Sequence, residues 1–220
     1  MFPFPFYLAY MQKLNPQQTA KALLDYKIIE LSPDRPFTFA SGIKSPIYCD
    51  GRRIISQPEL RLDIAYSIVE QIKVKFPEVE VISGVATGSI AMAAWVSQIL
   101  NLPMIYYRKP KGYGHNNTVE GAYYNGQKVV VIEDTVSTGG SCLTAVNSLR
   151  ENNLNVLGVA FIYSHEMAIA NKNFELQNCQ FTSLAGLSDV LEYVTTNNIL
   201  NTQQVDSINK WKQDPQNWLS

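Results

Sequence analysis

Residues 129–141 read Val-Val-Val-Ile-Glu-Asp-Thr-Val-Ser-Thr-Gly-Gly-Ser. Positions 129–132 are four β-branched residues, a short apolar run with strand propensity. Two adjacent carboxylates, Glu133 and Asp134, follow directly. Then come hydroxyls, two glycines and a helical pattern over 141–152. Gly139 and Gly140 permit a tight turn and a close approach of backbone to ligand. The amides of such a loop, opening onto a helix N-terminus, form an anion site, and Thr135, Ser137, Thr138 and Ser141 add hydroxyl donors. A phosphate suits that cup. The two carboxylates would repel a phosphate but suit sugar hydroxyls or a hydrated metal. The expected ligand therefore carries a phosphate and a polyol, accompanied by Mg²⁺. No Gly-Lys-Ser/Thr follows the glycines, so this is not the P-loop of nucleoside triphosphatases. An ordinary strand-to-helix turn with coincidental acids is the plainer alternative.

The flanking segments alternate. Strands are expected at 79–83, 104–107, 128–132, 156–163 and 181–184. Helices are expected at 90–100, 141–152, 168–173, 187–195 and 203–213. Alternation with near-continuous apolar strands indicates an α/β fold with a parallel sheet. Ligands in such sheets bind beyond the carboxyl ends of strands, where the 133–141 loop lies. Upstream, Asn15-Pro16 reads as an N-cap followed by proline at the first helical position, with Ala20, Leu23, Leu24 and Ile28 on one face. Residues 37–48 read as two short strands around Ser41-Gly42-Ile43-Lys44. Ser56-Gln57-Pro58-Glu59 reads as a capping box opening a helix to about Lys75. These N-terminal pieces stand outside the alternation and are expected to cap the sheet.

The whole chain sets outer bounds. Its 220 residues suit one domain with appendages. Apolar residues make up 46%, which argues for a sizeable core. A formal net charge of −1 lacks the basic excess of a nucleic-acid binder. Cys49, Cys142 and Cys179 fit neither a disulfide framework nor a zinc spacing. They read as thiols in a reducing compartment, the cytoplasm. No apolar run approaches the roughly 20 residues of a membrane helix. Residues 1–11 carry Pro3 and Pro5 and lack a basic n-region. They read as an extension with Met11 as the natural start, leaving one domain over 12–220; a short anchor onto a partner subunit is the alternative.

Two further stretches bear on an anionic ligand. Gly84-Val85-Ala86-Thr87-Gly88-Ser89 lies between a strand and a helix, a second candidate anion loop. Small residues there also serve close helix–strand packing. Tyr107-Arg108-Lys109-Pro110-Lys111-Gly112-Tyr113-Gly114-His115-Asn116-Asn117 is basic, glycine-punctuated and free of aliphatics. It reads as a mobile lid that brings cations to a leaving anion and excludes water, or else as a solvated charged loop.

The 129–141 string closely resembles the motif by which type I phosphoribosyltransferases hold 5-phosphoribosyl-1-diphosphate (PRPP). Phe37-Thr38-Phe39-Ala40-Ser41-Gly42-Ile43-Lys44-Ser45-Pro46-Ile47-Tyr48-Cys49-Asp50 resembles the N-terminal hairpin of the orotate phosphoribosyltransferases, with its Ser-Gly-x-Lys-Ser-Pro-x-Tyr/Phe core. Lys210-Trp211-Lys212-Gln213-Asp214-Pro215 resembles the tail of one branch of that family. The basic loop leading into Val119-Glu120-Gly121 is similar as well. The match runs from about residue 12 to the C-terminus, with the motifs in family order.

The resemblance implies a Rossmann-like parallel sheet of the type I phosphoribosyltransferase kind, with a small N-terminal hood over about 12–55. It implies Mg²⁺-dependent transfer of the phosphoribosyl group from PRPP to orotate, giving orotidine 5-monophosphate and diphosphate in pyrimidine (UMP) synthesis. It implies a homodimer whose lid serves the neighbouring subunit's site. Asp134, Glu133 and Lys111 are the expected catalytic residues. Expected PRPP contacts are Ala86 and Thr87, then Arg108, Lys109, Lys111, Tyr113 and His115 of the lid, and Glu133 through Ser141: Thr135, Val136, Ser137, Thr138, Gly139, Gly140 and Ser141 beside the two acids. Ser137, Lys44, Tyr48 and Arg52 are expected at orotate. No side-chain metal site is expected.

The sequence departs from the family pattern in places. Ala40 stands where many relatives carry lysine, and Tyr163 where some carry arginine. In the lid, Tyr113 takes a common histidine position with His115 two residues on, and Tyr107 takes an arginine position with Arg108 adjacent. Two other functions are compatible with the phosphoribosyltransferase motif. A purine phosphoribosyltransferase is disfavoured by the 37–50 hairpin. A PRPP-sensing regulator would need a nucleic-acid module that the sequence does not display.

Overall fold

The computed structural model describes residues 11–38, 42–110 and 117–218. Residues 1–10 of the expected extension, Ala40, and the lid positions Lys111, Tyr113 and His115 lie outside the described residues. Helix α1 (Pro16–Asp25) starts as its sequence suggests. The Asn15 side chain accepts from the Gln18 amide (2.8 Å), and Gln18 reciprocates at the Asn15 amide (2.9 Å). Then come β1 (Ile29–Leu31), β2 (Phe37–Thr38), β3 (Lys44–Ser45) and β4 (Ile47–Cys49). The hairpin is thus more broken than its sequence suggested. Strand β2 pairs antiparallel with β3, but beyond Pro46 the chain turns away, and β4 pairs with β1.

A 3₁₀ helix (Gly51–Ser56) leads to α2 (Pro58–Lys75). The expected Ser56–Glu59 capping box does not form. The Ser56 hydroxyl closes the 3₁₀ turn by donating to the Arg53 carbonyl (3.0 Å), and Gln57 becomes an N-cap without a side-chain bond. The remaining elements are β5 (Val81–Val85), α3 (Ile90–Leu100), β6 (Met104–Tyr107), β7 (Val119–Glu120), β8 (Lys128–Val136), α4 (Gly140–Glu151), β9 (Asn155–Ser164), α5 (Ala168–Leu176), β10 (Gln180–Gly186), α6 (Leu187–Thr196) and α7 (Thr202–Gln213). Strand β5 begins two residues later than expected, because the Val79 amide still closes a turn onto the Phe76 carbonyl (3.1 Å).

The sheet order is β10-β9-β8-β5-β6-β7, parallel except for β7 against β6. Helices cover both faces. Val130 and Ile132 of β8 pack with Ile64, Ile68 and Val96 of α2 and α3. Val129 and Val131 pack with Val146, Leu149 and Phe174 of α4 and α5. Burial on both faces explains the unbroken apolar run at 129–132. The chain leaves β5 toward β6 on one side, then crosses to β8 on the other. Their carboxyl ends therefore flank a topological switch point, the crevice where such sheets take ligands.

Candidate active site

Strand β8 runs further than its apolar stretch. Glu133 and Thr135 stay on the ladder, in register with Phe161 and Tyr163 of β9. The acidic pair therefore lies on the strand's last residues and not past its end, and strand alternation sends the two carboxylates to opposite faces. Glu133 turns inward and is buried. Its Oε1 accepts from the Ser89 hydroxyl (2.6 Å) and the Asp134 amide (3.1 Å), and its Oε2 from the Ser141 hydroxyl (3.3 Å). Burial and the neighbouring Asp134 charge push the Glu133 carboxyl up to about 8.

Asp134 turns toward the hood. A Cβ on Gly51 would lie 2.6 Å from the Asp134 Cβ, and one on Gly88 would lie 2.7 Å from its Oδ2. Asp134 thus fills a slot that two hydrogen-only positions leave open, one in the 3₁₀ helix and one in the 84–89 loop. Its Oδ1 accepts from the Thr135 amide (2.7 Å). Beside it, Thr135 Oγ1 and Cys49 Sγ lie 3.2 Å apart, and burial pushes the Cys49 thiol up to about 12. The three cysteines are free thiols.

The 137–141 loop has the form of an anion cup. Ser137, Thr138, Gly140 and Ser141 are exposed. Gly139 adopts φ +80° as N-cap of α4, and no side chain caps the helix. Its first-turn amides are therefore left for an external acceptor. The Val136 side chain is buried, and its carbonyl accepts from the His165 amide (2.9 Å). Opposite, the 86–89 loop follows β5, with Thr87 exposed, Ala86 half-buried and the Ala86–Thr87 bond cis.

The hood residues meet this crevice unequally. Arg52 makes a two-pronged ion pair with Asp50 (2.7 and 3.0 Å), which holds the Asp50 carboxyl below its usual range. The Arg52 stem reaches the Gly88–Asp134 slot, 3.7 Å from where a Gly88 Cβ would stand. Lys44 is exposed and donates to the Thr38 hydroxyl (2.7 Å). Tyr48 is half-buried between Phe37, 5.5 Å centroid to centroid, and the Arg53 guanidinium, 6.0 Å from its ring.

At the base of the lid, Lys109 is exposed, while Arg108 Nε donates to Glu120 (2.6 Å) across the β6–β7 pair. That pairing anchors the lid's first residue. Tyr107 is buried in the core, so it cannot substitute for a lid cation. Tyr163 is buried too, its hydroxyl without a partner among the described residues, so it does not replace a substrate-facing arginine. Sequence reasoning missed Gly51 and Cys49 as contributors, and it placed Ser89 in a candidate anion loop without its bond to Glu133. Ser89 had a readable signal, a hydroxyl at the start of a helix behind a glycine.

Among the described residues no group of three or more His, Cys, Asp and Glu could hold a metal, and no helix is long and apolar enough to cross a membrane. Residues 61–187 match the model of the phosphoribosyl transferase domain. The chain is 45% identical over 203 residues to the orotate phosphoribosyltransferase of Enterococcus faecalis, covering 92% of this chain and 97% of that one. It is 44% identical to that of Listeria innocua, with the same coverage. Its fold matches the crystal structure of orotate phosphoribosyltransferase from Aeropyrum pernix with a TM-score of 0.69 at 26% identity, over 80% of this chain and 98% of that one. The switch-point crevice, the paired acids and these likenesses over nearly the whole length agree: the chain belongs to the orotate phosphoribosyltransferase family.

Proposed function

We propose that the crevice between the ends of β5 and β8 binds PRPP and transfers its phosphoribosyl group to orotate, within a single domain over 12–220. One observation carries this reading. The 86–89 loop and the acidic pair meet there, joined by the Ser89–Glu133 bond, with the open amides of α4 beyond them. A ligand with two separate anions and a sugar between them fits that layout.

In this reading the amides and hydroxyls of Ser137, Thr138, Gly139, Gly140 and Ser141 hold the 5-phosphate. Asp134 and Glu133 accept the ribose hydroxyls and stay close to C1 as it gains positive charge. Thr135 and Val136 contribute backbone. Ala86 and Thr87 approach the diphosphate. Lys111, with Arg108, Lys109, Tyr113 and His115, closes over it from the lid, serving the neighbouring subunit of a homodimer. Orotate lies toward Ser137, Lys44, Tyr48 and Arg52, whose donors suit a planar carboxylate. The C1–O bond to diphosphate breaks as a bond from the orotate ring nitrogen forms, and that nitrogen gives up its proton to solvent. The protein supplies position and charge rather than a covalent nucleophile.

Mg²⁺ would fit this donor set as a hydrated ion brought in with PRPP, with the half-buried Asp134 carboxylate the group that would hold its water shell. When bound it neutralises diphosphate charge. The free thiols and the lack of a membrane-length helix among the described residues support a cytoplasmic setting. Product identification tests the reading. Purified protein given PRPP, Mg²⁺ and equal orotate, hypoxanthine, adenine and uracil should yield orotidine 5-monophosphate alone by mass spectrometry. A purine nucleotide as main product would overturn the choice of base.

A further inference from the structure

The C-terminal helix α7 has no part in the chemistry above, yet it touches two sides of the crevice. Only Ile208 and Trp211 of this helix are buried, so its hold on the domain is concentrated there. Trp211 is 1% exposed, and its indole Nε1 donates to the carbonyl of Lys44 in the hood hairpin (3.1 Å). The same ring stands edge-on to His165, 5.6 Å between centroids at 74°. The His165 amide donates to the carbonyl of Val136 (2.9 Å), the residue just before Ser137.

Polar tethers fix the helix around this point. Lys212 Nζ donates to Glu166 (2.9 Å), and Glu166 also accepts from the Ser188 hydroxyl (2.7 Å). Gln204 donates to Asp34 in the loop before β2 (2.6 Å). A phenylalanine would occupy much the same apolar space. The indole N–H adds an aimed bond to the backbone of Lys44, whose side chain is one of the two candidate orotate cations. Burial in an apolar surround gives that bond and its loss weight.

We propose that Trp211 is a positioning residue for orotate: through its bond to the Lys44 carbonyl and its packing on His165, the C-terminal helix fixes the hairpin against the end of β8. This rests on the reading that the hairpin seats orotate. Burial pushes His165 down to about 4, so the ring is neutral in the working range and acts by packing, not charge.

Steady-state kinetics on the full chain test it. Trp211→Phe keeps an aromatic ring, smaller than the indole, and removes the donor. It should raise KM for orotate about five-fold, the worth of one buried hydrogen bond, while kcat and KM for PRPP stay within about two-fold. Lys212→Met releases the same helix from Glu166 without opening a cavity, and should move KM for orotate the same way by about two-fold. It serves as the second test if Trp211→Phe folds poorly. Tyr48→Ala, run alongside, separates the two levels. If Tyr48→Ala raises KM for orotate but both helix variants leave it unchanged, the inference about Trp211 is overturned and the site reading stands. If all three leave it unchanged, the hairpin does not seat orotate and both fall. Equal rises in both KM values, or a fall in kcat alone, would mark a merely structural helix and overturn the proposal.

Discussion

The hydroxyl of Ser89 donates to Oε1 of Glu133 across 2.6 Å, with both residues buried. This bond ties the last residue of the 84–89 loop to the inner member of the acidic pair. The loop expected at the diphosphate and the strand end expected at the ribose are therefore one mechanical unit. Ser89→Ala should lower kcat/KM for PRPP about ten-fold, because a buried carboxyl loses a donor at the site itself. The Ser89 bond lowers the proton affinity of Glu133, so its loss raises that affinity. The acid limb of the kcat/KM profile should then move to higher pH. A wild-type profile in Ser89→Ala would remove Ser89 from the account.

The two acids should differ in rank. Asp134 is half-buried and faces the Gly51–Gly88 slot, whereas Glu133 is buried with three protein donors already on its oxygens. Asp134→Asn should cut kcat about 100-fold, a loss typical of a group that stabilises developing charge. Glu133→Gln should cost less, since an amide can still accept from Ser89. Rate measurements on both purified variants, with folding checked by circular dichroism, decide the order. A larger loss in Glu133→Gln would reverse the assignment.

Glu133 also makes a prediction about stability. Its carboxyl is raised from 4.5 to about 8 by burial and by Asp134, so the folded protein holds a proton there that the unfolded chain releases. That contribution to stability is full below about pH 4.5 and is lost as pH rises through about 8. Glu133→Gln cannot ionise, so its Tm advantage over wild type should grow as pH rises from about 5 to about 9. A Tm difference independent of pH would mean that Glu133 does not titrate in this window.

Lid and acids should belong to different subunits. Lys111→Ala should slow turnover about 100-fold, with a smaller effect on PRPP binding, if its contact strengthens as diphosphate leaves. Mixing Lys111→Ala with Asp134→Asn after co-unfolding or co-expression should restore activity above the sum of the parents, because one site of each heterodimer is then intact. No restoration would place both residues in one subunit's site.

The parts of the fold that follow local rules were legible in the sequence. The α1 cap at Asn15, the helix at Ile90–Leu100 and the strand at Met104–Tyr107 stand where their residues implied. Errors arose where a tertiary partner overruled the local pattern. Acids are poor strand formers, yet Glu133 and Asp134 continue β8 because β9 supplies a ladder beside them. Ser56 and Glu59 spell a capping box, but a preceding 3₁₀ turn takes the serine first. Strand β1 is three residues long and exists through its pairing with β4, which no period in the sequence could announce. At the site, the glycines and acids were readable by type. The Glu133–Ser89 and Trp211–Lys44 bonds were not, since each joins residues far apart in the chain.

In the proposed reaction this crevice transfers phosphoribose from PRPP to orotate. The most direct measurement is the fall in orotate ultraviolet absorbance on adding purified protein, PRPP and Mg²⁺, with diphosphate release followed in parallel. Absorbance should fall only when all three are present, matched mole for mole by diphosphate, and the fall should be nearly abolished in Asp134→Asn. Diphosphate released with orotate absorbance unchanged, or unaltered turnover in Asp134→Asn, would contradict it.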